Sequence, residues 1–466
     1  MGAEAAAFVV APPRRNGVTG AGVTGAVATI VSVLVSAALL LWPAVLNGYP
    51  LLFGDTGVYL NDGIRLHMSW PRPLFYGLFM LPFHLERTVW PVIIAQALVT
   101  ACALLTVIRC FLPGLAAWVL APVTLVLTVA TSLPWFVSQL MPDIFGGLMV
   151  LALAVLLLSP TRLRPGMQAL TVLFAAACIT MHLAFLPISL AVLATLLLCR
   201  VWLRRPLRPQ VLLAGALVPV LAVLVATLAN AQLTGQVSPS PYGKIFVLTR
   251  ILLDGPGQRA LARECPRPDW TLCAFKDELP TTEDRILFGE DGIVSRAGGY
   301  RAVAPQAMPI IAAALRAEPA SVLADAARNT IRQFVSFRSG DALIVPMGVD
   351  EQVWRDVFPK NEQDRYWSSR QYRLLPLLPA WLQAVHVAAG AVSLLGLAAG
   401  TWVALRRRTA LGGVYAAILA TLAANAFVSG ALSGVFDRYQ SRFVWLAPFA
   451  ILLMLLAWWR RRTVAP

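Results

Sequence analysis

Residues 211–232, VLLAGALVPVLAVLVATLANAQ, form an apolar run that contains no charged residue. About 20 apolar residues in a helix are enough to cross the roughly 30 Å hydrocarbon core of a bilayer. Similar runs occur on both sides of this one, so we predict about ten transmembrane helices. Their predicted ranges are 24–46, 89–110, 114–135, 145–160, 167–186, 187–203, 211–232, 380–405, 409–432 and 443–459.

The composition of the whole chain agrees with this prediction. Hydrophobic residues make up 58% of the 466 residues and charged residues only 13%, whereas about 25% charged residues is usual in globular domains. We therefore predict an all-α polytopic membrane bundle, which has the lipid bilayer as its solvent.

The net charge of +15 follows the predicted topology and does not indicate nucleic-acid binding. With the N-terminus in the cytoplasm, arginine clusters flank the cytoplasmic ends of the spans, as the positive-inside rule requires. All acidic residues except Glu4 then fall on or beside the opposite side. An even number of spans places both termini in the cytoplasm, and we predict a multi-pass protein of the bacterial inner membrane. The cytoplasmic arginines are Arg14, Arg15, Arg109, Arg162, Arg164, Arg200, Arg204, Arg205, Arg208, Arg406, Arg407, Arg408, Arg460, Arg461 and Arg462.

Three regions follow from this topology. Residues 1–232 form an N-terminal transmembrane module of about seven spans, which includes a first outer loop at 47–88. Residues 233–379 form a periplasmic insert, and residues 380–466 form a C-terminal module of about three spans. Within the insert, the apolar spacing of 303–337 predicts an amphipathic helix, and the Gly, Pro and Asp content of 255–300 predicts irregular loop. The insert is therefore predicted to be mixed or helical.

The six cysteines fall into two groups. Four lie in predicted spans, where a free cysteine behaves as a small apolar residue. Cys265 and Cys273 lie in the insert, in a compartment that is oxidising under the predicted topology. We predict a disulfide between them.

Asp55 is the first candidate for chemistry. It follows the first span directly, in Phe53-Gly54-Asp55-Thr56-Gly57, and neighbouring glycines let the backbone approach a ligand. A carboxylate at this boundary suits a general base or a metal ligand, and the alternative is that it caps the next helix. The apolar, aromatic stretch from Pro73 to Leu85 is too short to span and predicts an interfacial or re-entrant helix.

Asp143 and His182 are predicted at the same membrane face as Asp55. Asp143 precedes a span directly, so an N-cap role is the structural alternative. His182 lies within an apolar segment, where an ionisable side chain is a functional candidate, although a packing role stays open. Two carboxylates that converge on one outer cavity would be more informative than either alone.

Arginines on the outer side need an explanation other than orientation. Arg438 and Arg442 lie in Asp437-Arg438-Tyr439-Gln440-Ser441-Arg442, and a guanidinium matches the geometry of phosphate oxygens. At this surface the phosphate would belong to a lipid-linked substrate. Arg72 is a third candidate for the same site. The alternative is an ion pair with Asp437 or with a carboxylate of the insert.

Together these residues resemble the GT-C superfamily of membrane glycosyltransferases, which includes the protein O-mannosyltransferases and the lipid A aminoarabinose transferases. The matching features are Asp55, Tyr59 four residues later, the stretch Arg72-Pro73-Leu74-Phe75-Tyr76, the second acid Asp143, and Arg438-Tyr439. They cover mainly the first 190 residues and the last 40. The first-loop acid stands in Gly-Asp-Thr, whereas many members of the superfamily have an acidic pair there.

The resemblance implies sugar transfer at the outer face from a polyprenyl-phosphate donor to a glycan, lipid or protein acceptor. Asp55 would be the general base of an inverting hexosyl- or pentosyltransferase, with Asp143 as the second catalytic acid. Arg438, Arg442, His182 and Arg72 would bind the donor phosphate, and Tyr59, Tyr76 and Tyr439 would line the substrate cavity.

Two further questions stay open at the level of sequence. No metal-binding motif is present, but Asp55, Asp62 and Asp143 offer oxygen ligands that a divalent cation, Mg²⁺ or Mn²⁺, could use. An O-antigen polymerase or ligase and a flippase for lipid-linked sugars are the alternative functions. The charges gather at the outer boundary and no internal repeat is present, which favours the enzyme over the transporter.

Overall fold

The computed structural model describes residues 21–70, 72–267, 269–341, 343 and 351–463, and within them the chain is helical, with no strand. Glu4, Arg14 and Arg15, which bear on the predicted orientation, lie outside the described residues. Three 3-10 helices span Ala117–Val119, Pro160–Arg162 and Thr271–Phe275. The α-helices are α1 Ala21–Leu40, α2 Trp42–Asn47, α3 Thr56–Arg65, α4 Phe75–His84, α5 Trp90–Phe111, α6 Leu120–Ala130, α7 Leu133–Val137, α8 Asp143–Leu158, α9 Pro165–Thr180, α10 Phe185–Trp202, α11 Pro209–Thr234, α12 Lys244–Asp254, α13 Pro256–Glu264, α14 Glu283–Leu287, α15 Ile293–Arg296, α16 Gly299–Ala317, α17 Pro319–Val335, α18 Glu351–Val357, α19 Lys360–Ser368, α20 Ala380–Arg406, α21 Ala410–Leu432, α22 Asp437–Val444 and α23 Leu446–Thr463.

Six helices of the described chain are long and apolar enough to cross a membrane: α5, α10, α11, α20, α21 and the continuous pair α22–α23. The pair α16–α17 passes the same test, with a bend of 107° between its helices, and would raise the number to seven. These lengths and compositions are those of a multi-pass membrane protein.

The predicted number of about ten spans is therefore wrong. The other four predicted spans correspond to shorter apolar helices, Thr24–Leu40, Ala117–Ala130, α8 and α9. Two of the apolar runs are continuous in sequence and broken in structure. The run 24–46 breaks at Leu41, and the run 114–135 divides at Thr131 between α6 and α7. Hydropathy averaged over a window does not detect such breaks, because Leu41 is apolar and the two polar residues Thr131 and Ser132 lie between long apolar stretches.

α8 lies at the centre of the bundle, with all of its residues from Asp143 to Leu158 buried. Its last carbonyl groups are satisfied by an arginine in the last turn of α10 and by one just after that helix. Arg200, only 4% exposed, donates to the Leu157 carbonyl, and Arg205 donates to the Leu158 carbonyl. These contacts give α8 cationic donors at its C-terminus, where the helix dipole favours positive charge.

The insert divides into two parts. Residues 244–317 have an apolar core of their own, built from α12 to α16, and the predicted disulfide between Cys265 and Cys273 is present there. The second part packs on the bundle: Trp354 and Tyr366 belong to the main core, and Gly430 of α21 lies against the Asn329 carbonyl of α17. The insert therefore has a fixed position over one end of the bundle.

The helical content of the insert differs from the prediction at two places. The segment 303–337, predicted as one amphipathic helix, forms α16 and α17, which meet at Glu318 before Pro319. A proline disfavours helical backbone in the residue before it, which accounts for this break. The segment 255–300, predicted as irregular loop, contains α13, α14, α15 and a 3-10 helix.

Candidate functional site

Asp143 lies between the two arginines of α22. Its Oδ2 is 3.0 Å from Arg438 Nη2 and its Oδ1 is 3.3 Å from Arg442 Nη1. The Asp143 side chain is fully buried, and the two arginines are 9% and 1% exposed. The N-cap alternative is wrong for Asp143, because it is the first residue of α8 and its carboxylate binds arginines. The alternative pairing of these arginines with Asp437 is not what the structure shows either.

Asn425 completes this buried cluster and was not singled out from the sequence. Arg442 Nη2 donates to Asn425 Oδ1 at 3.0 Å, and Asn425 Nδ2 donates to the Tyr439 carbonyl at 2.7 Å. In the sequence, the only indication of a role for Asn425 is that a polar asparagine lies within the apolar run 409–432. The insert contributes as well, since the Arg438 backbone N–H donates to Asp341 Oδ2 at 3.1 Å.

Asp55 forms an ion pair with Arg72 in the first loop. Asp55 occupies the N-cap position of α3 but makes no capping hydrogen bond, so the capping alternative is wrong. The pair is more accessible than the Asp143 cluster, with side-chain exposures of 21% and 16%. Its position is set by Asp62, whose carboxylate accepts hydrogen bonds from the backbone N–H and hydroxyl of Ser69, three residues before Arg72.

A short backbone pairing brings the Asp55 and Asp143 loops together. The Leu51 N–H donates to the Ser138 carbonyl at 2.9 Å, and the Leu140 N–H donates to the Leu51 carbonyl at 2.8 Å. The hydroxyl of Thr56, the residue after Asp55, donates to the Leu140 carbonyl at 3.1 Å. Hydropathy patterns contain no information about such contacts, which depend on irregular backbone.

Tyr59 and Phe53 connect the two ion-paired groups. The Arg438 guanidinium lies 3.7 Å from the centre of the Phe53 ring, two residues before Asp55. Burial raises the pKa of the Tyr59 hydroxyl far above its usual value, and the negative charge of Asp55 raises it further. The charges of Arg72, Asp143 and Arg438 also act on this hydroxyl. Through Phe53, the segment that carries Asp55 is thus in contact with the Asp143 cluster.

His182 lies in the turn between α9 and α10, next to Arg442. Its Nε2 is 3.4 Å from Arg442 Nη1, and its Nδ1 accepts the Ala184 backbone N–H at 3.2 Å. Arg442 and the Ala184 N–H are both donors, whereas a neutral imidazole has only one acceptor nitrogen. One of the two contacts therefore places two N–H groups next to each other, an arrangement that a nearby anion would stabilise.

The three predicted cavity tyrosines have different environments. Tyr439 is half-buried, and its ring lies 5.2 Å from the Arg442 guanidinium. Tyr59 is 2% exposed, and Tyr76 is fully buried with its hydroxyl donating to Gln96 Oε1 at 2.8 Å. Tyr76 packs edge-on against Tyr59, with the ring centres 5.2 Å apart, and so helps to hold the Tyr59 ring in place.

A cleft of about 100 Å³ opens beside Arg72 and His182, which are among its lining residues. The rest of its wall comes from the first loop, α4, α9, α10, α11 and the loop before α12, and it is mainly apolar, with Leu186, Ala222 and Val223 among its residues.

The insert covers the first loop through aromatic contacts. Trp70 stacks on Tyr242 at 5.2 Å and packs against Tyr300 at 3.6 Å. The Arg72 guanidinium lies 5.2 Å from the centre of the Phe288 ring. A further insert residue not singled out from the sequence, Glu283, accepts the Ser433 hydroxyl at 3.2 Å, close to Tyr439.

The three carboxylates considered as cation ligands have separate partners. Asp55 binds Arg72, Asp62 binds Ser69, and Asp143 binds Arg438 and Arg442. In the described part of the chain, no group of three or more His, Cys, Asp or Glu side chains comes together in a way that could hold a metal ion.

Comparison of the chain with protein-family models, with curated proteins and with solved structures finds no match in any of the three. The function is therefore argued from the site itself.

Proposed function

We propose that this chain is a membrane glycosyltransferase that moves a sugar from a polyprenyl-phosphate donor to an acceptor hydroxyl. One observation carries the proposal. The buried Nε–H groups of Arg72, Arg438 and Arg442 have no hydrogen-bond partner among the described residues. Unpartnered buried donors are costly, and phosphate oxygens match the geometry of guanidinium donors.

The apolar cleft supports a lipid carrier for this phosphate. Arg72 and His182 are among its lining residues, and its wall is mainly apolar. A polyprenyl chain could therefore lie against α10 and α11 while its phosphate reaches the arginines. A free nucleotide sugar would leave this wall exposed to water.

In the proposed reaction Asp55 accepts the proton of the acceptor hydroxyl. The acceptor oxygen forms a bond to the anomeric carbon, and the bond from that carbon to the phosphate oxygen breaks. The electron pair stays on the phosphate, which leaves as polyprenyl phosphate, and the anomeric configuration inverts. Fixed cationic donors stabilise the charge that develops on the leaving group. Arg72 would exchange Asp55 for the phosphate when the donor binds, which frees the carboxylate to act as the base.

Asp143 has a supporting role in this proposal. Its two oxygens are already occupied by Arg438 and Arg442. It is a positioning residue, which holds both guanidinium groups in place and partly neutralises them. We place the proposed site at the periplasmic end of the bundle, because the arginine clusters at 406–408 and 460–462 lie at the other ends of α20 and of the α22–α23 pair, which the positive-inside rule assigns to the cytoplasm.

The test is donor turnover by the purified protein in nanodiscs, with polyprenyl-phosphate-linked hexoses and pentoses as substrates. Membrane lipid extract supplies acceptors, and released polyprenyl phosphate is the readout. We expect Asp55→Asn to abolish release and Glu86→Gln, an exposed acid of the same loop, to leave it unchanged. Release by Asp55→Asn at the rate of the unaltered protein would contradict the base assignment. Arg72→Gln should raise the KM for the donor more than the KM for the acceptor.

A flippase for lipid-linked sugars would require a polar path from one end of the bundle to the other. The centre of the bundle is α8, whose buried residues between Asp143 and its C-terminal end are apolar or glycine. Net movement of a fluorescent lipid-linked sugar across liposomes without sugar release would favour the flippase.

A further inference from the structure

An exposed aromatic side chain lies at the edge of the cluster. Phe436, just before α22, is 37% exposed, and its ring packs edge-on against Tyr439 at 5.4 Å. Its backbone is fixed, because the Gln333 side chain accepts its N–H and donates to its carbonyl, both at 2.9 Å. Gln333 is fully buried. An exposed ring on such a rigid backbone has little conformational entropy to lose when a ligand binds.

A carboxylate from the insert lies beside these two rings. Glu283 Oε1 accepts the Ser433 hydroxyl, and its Oε2 lies against Gly434, where a side chain would overlap it. The charge of Glu283 acts on the Tyr439 hydroxyl, and so does that of Asp55. The Tyr439 ring therefore packs on Phe436, and it also lies 5.2 Å from the Arg442 guanidinium of the buried cluster.

The chemical character of Phe436, Tyr439 and Glu283 indicates which class of ligand they would bind. A pyranose has an apolar C–H face that packs on an aromatic ring and hydroxyl groups that donate to a carboxylate, which only accepts. The negative charge of Glu283 disfavours a phosphate or another anion at this place. An acyl chain would bury the carboxylate without a partner, which is costly. Two rings are also too small a surface for a stable protein interface.

We propose that Phe436, Tyr439 and Glu283 form a carbohydrate-binding subsite. Its place as the acceptor site rests on the proposed function, since the Tyr439 ring also lies 5.9 and 5.2 Å from the guanidinium groups of Arg438 and Arg442, which bind the donor phosphate in that function. Glu283 comes from the insert and the rings come from α22 and the residue before it, so the subsite exists only when the insert packs on the bundle. The acceptor of this enzyme is then a glycan.

The test uses the full protein in nanodiscs without donor, so that it is independent of catalysis. Saturation-transfer difference NMR is recorded with the methyl glycosides of mannose, glucose, galactose and N-acetylglucosamine. We expect transfer to ring C–H protons of at least one glycoside. Phe436→Ala and Glu283→Gln should each abolish this transfer, and Gly434→Ala should reduce it by displacing Glu283 or Phe436.

Two matched variants control for general damage. Phe427→Ala removes an exposed phenylalanine of α21, and Glu290→Gln changes an exposed acid of the insert. Both should retain the transfer. Absence of transfer from every glycoside, its persistence in Phe436→Ala and Glu283→Gln, or its loss in both controls would overturn the subsite. Asp55→Asn should still bind the glycoside, so a failure of the base assignment and a failure of the subsite give different results.

Discussion

Asp143 shows how a single buried charge organises the site. The carboxylate has no contact with solvent, and two guanidinium groups from one short helix bind its two oxygens. A buried ion pair contributes little net stability when it is intact, but removal of one partner leaves buried charge uncompensated. Asp55, in contrast, has one arginine partner and remains partly exposed.

The two aspartates should therefore respond differently to the same substitution. We expect Asp143→Asn to lower the free energy of unfolding by about 3–5 kcal/mol, because two buried arginines lose their counter-ion. Asp55→Asn should change it by about 1 kcal/mol or less. Denaturant unfolding of both variants in detergent provides the comparison. Equal effects would mean that the Asp143 cluster does not stabilise the fold.

At the scale of single residues, the sequence indicated which side chains lie near one end of the bundle, but it did not predict which of them bind each other. Asp55, Asp143, Arg438 and Arg442 could be placed at one face because each lies beside the end of a predicted span. The partner of each acid could not be predicted, because Arg72 reaches Asp55 through a loop whose path depends on the Asp62–Ser69 hydrogen bonds.

At the scale of secondary-structure elements, α3 and α4 pack so closely that the backbone of one helix touches the backbone of the other. A Cβ added at Gly77 would overlap the Tyr59 carbonyl oxygen, and one at Gly63 would lie 2.5 Å from the Gly77 carbonyl oxygen. The spacing of these two helices therefore determines where Tyr59 and Asp55 lie.

Gly77→Ala should consequently separate α3 from α4. We expect it to lower stability by about 1–3 kcal/mol, the usual cost of overpacking, and to reduce donor turnover. Gly166→Ala in α9, where a Cβ would meet nothing, should instead stabilise the protein by roughly 0.5–1 kcal/mol. Thermal unfolding in detergent measures both. An unchanged Tm in Gly77→Ala would contradict this account of the contact.

Glu362 fixes α19 of the insert to the start of the bundle. Its Oε1 accepts the Tyr49 hydroxyl at 2.9 Å and both the Thr88 hydroxyl and the Val89 N–H at 3.0 Å. Glu362→Ala leaves three donors without an acceptor, which should cost about 3 kcal/mol. We expect faster limited proteolysis between 351 and 379 in this variant. Asp364→Ala, a 58% exposed neighbour, should be cleaved like the unaltered protein.

Element boundaries were predictable where an apolar run and a helix coincide, as in α11, α20 and α21. At Leu41 and Thr131 a helix breaks within an apolar run, and the signal in the sequence is the proline at the start of the next helix, Pro43 and Pro134. The break at Glu318 carries the same signal, the following Pro319, which the amphipathic pattern of 303–337 obscured.

On the scale of the whole molecule, the proposed orientation can be tested by labelling. A membrane-impermeant maleimide should modify Glu290→Cys in cells with a permeabilised outer membrane, in a Cys102→Ser background. Arg164→Cys should react only after the inner membrane is opened, because the positive-inside rule places it in the cytoplasm. The reverse pattern would invert the topology and place the proposed site in the cytoplasm.

α8 has a consequence for how deep the reaction takes place. Its 16 residues extend about 24 Å, roughly 6 Å less than a typical hydrocarbon core, while longer helices surround it. The cluster at its N-terminus is buried, with the Arg438 and Arg442 side chains 9% and 1% exposed. In the proposed function, a phosphate that reaches these two arginines has to lose most of its hydration. Burial of the cluster thereby acts as a filter, because a carrier whose phosphate stays hydrated among the surrounding lipids does not reach the reacting groups.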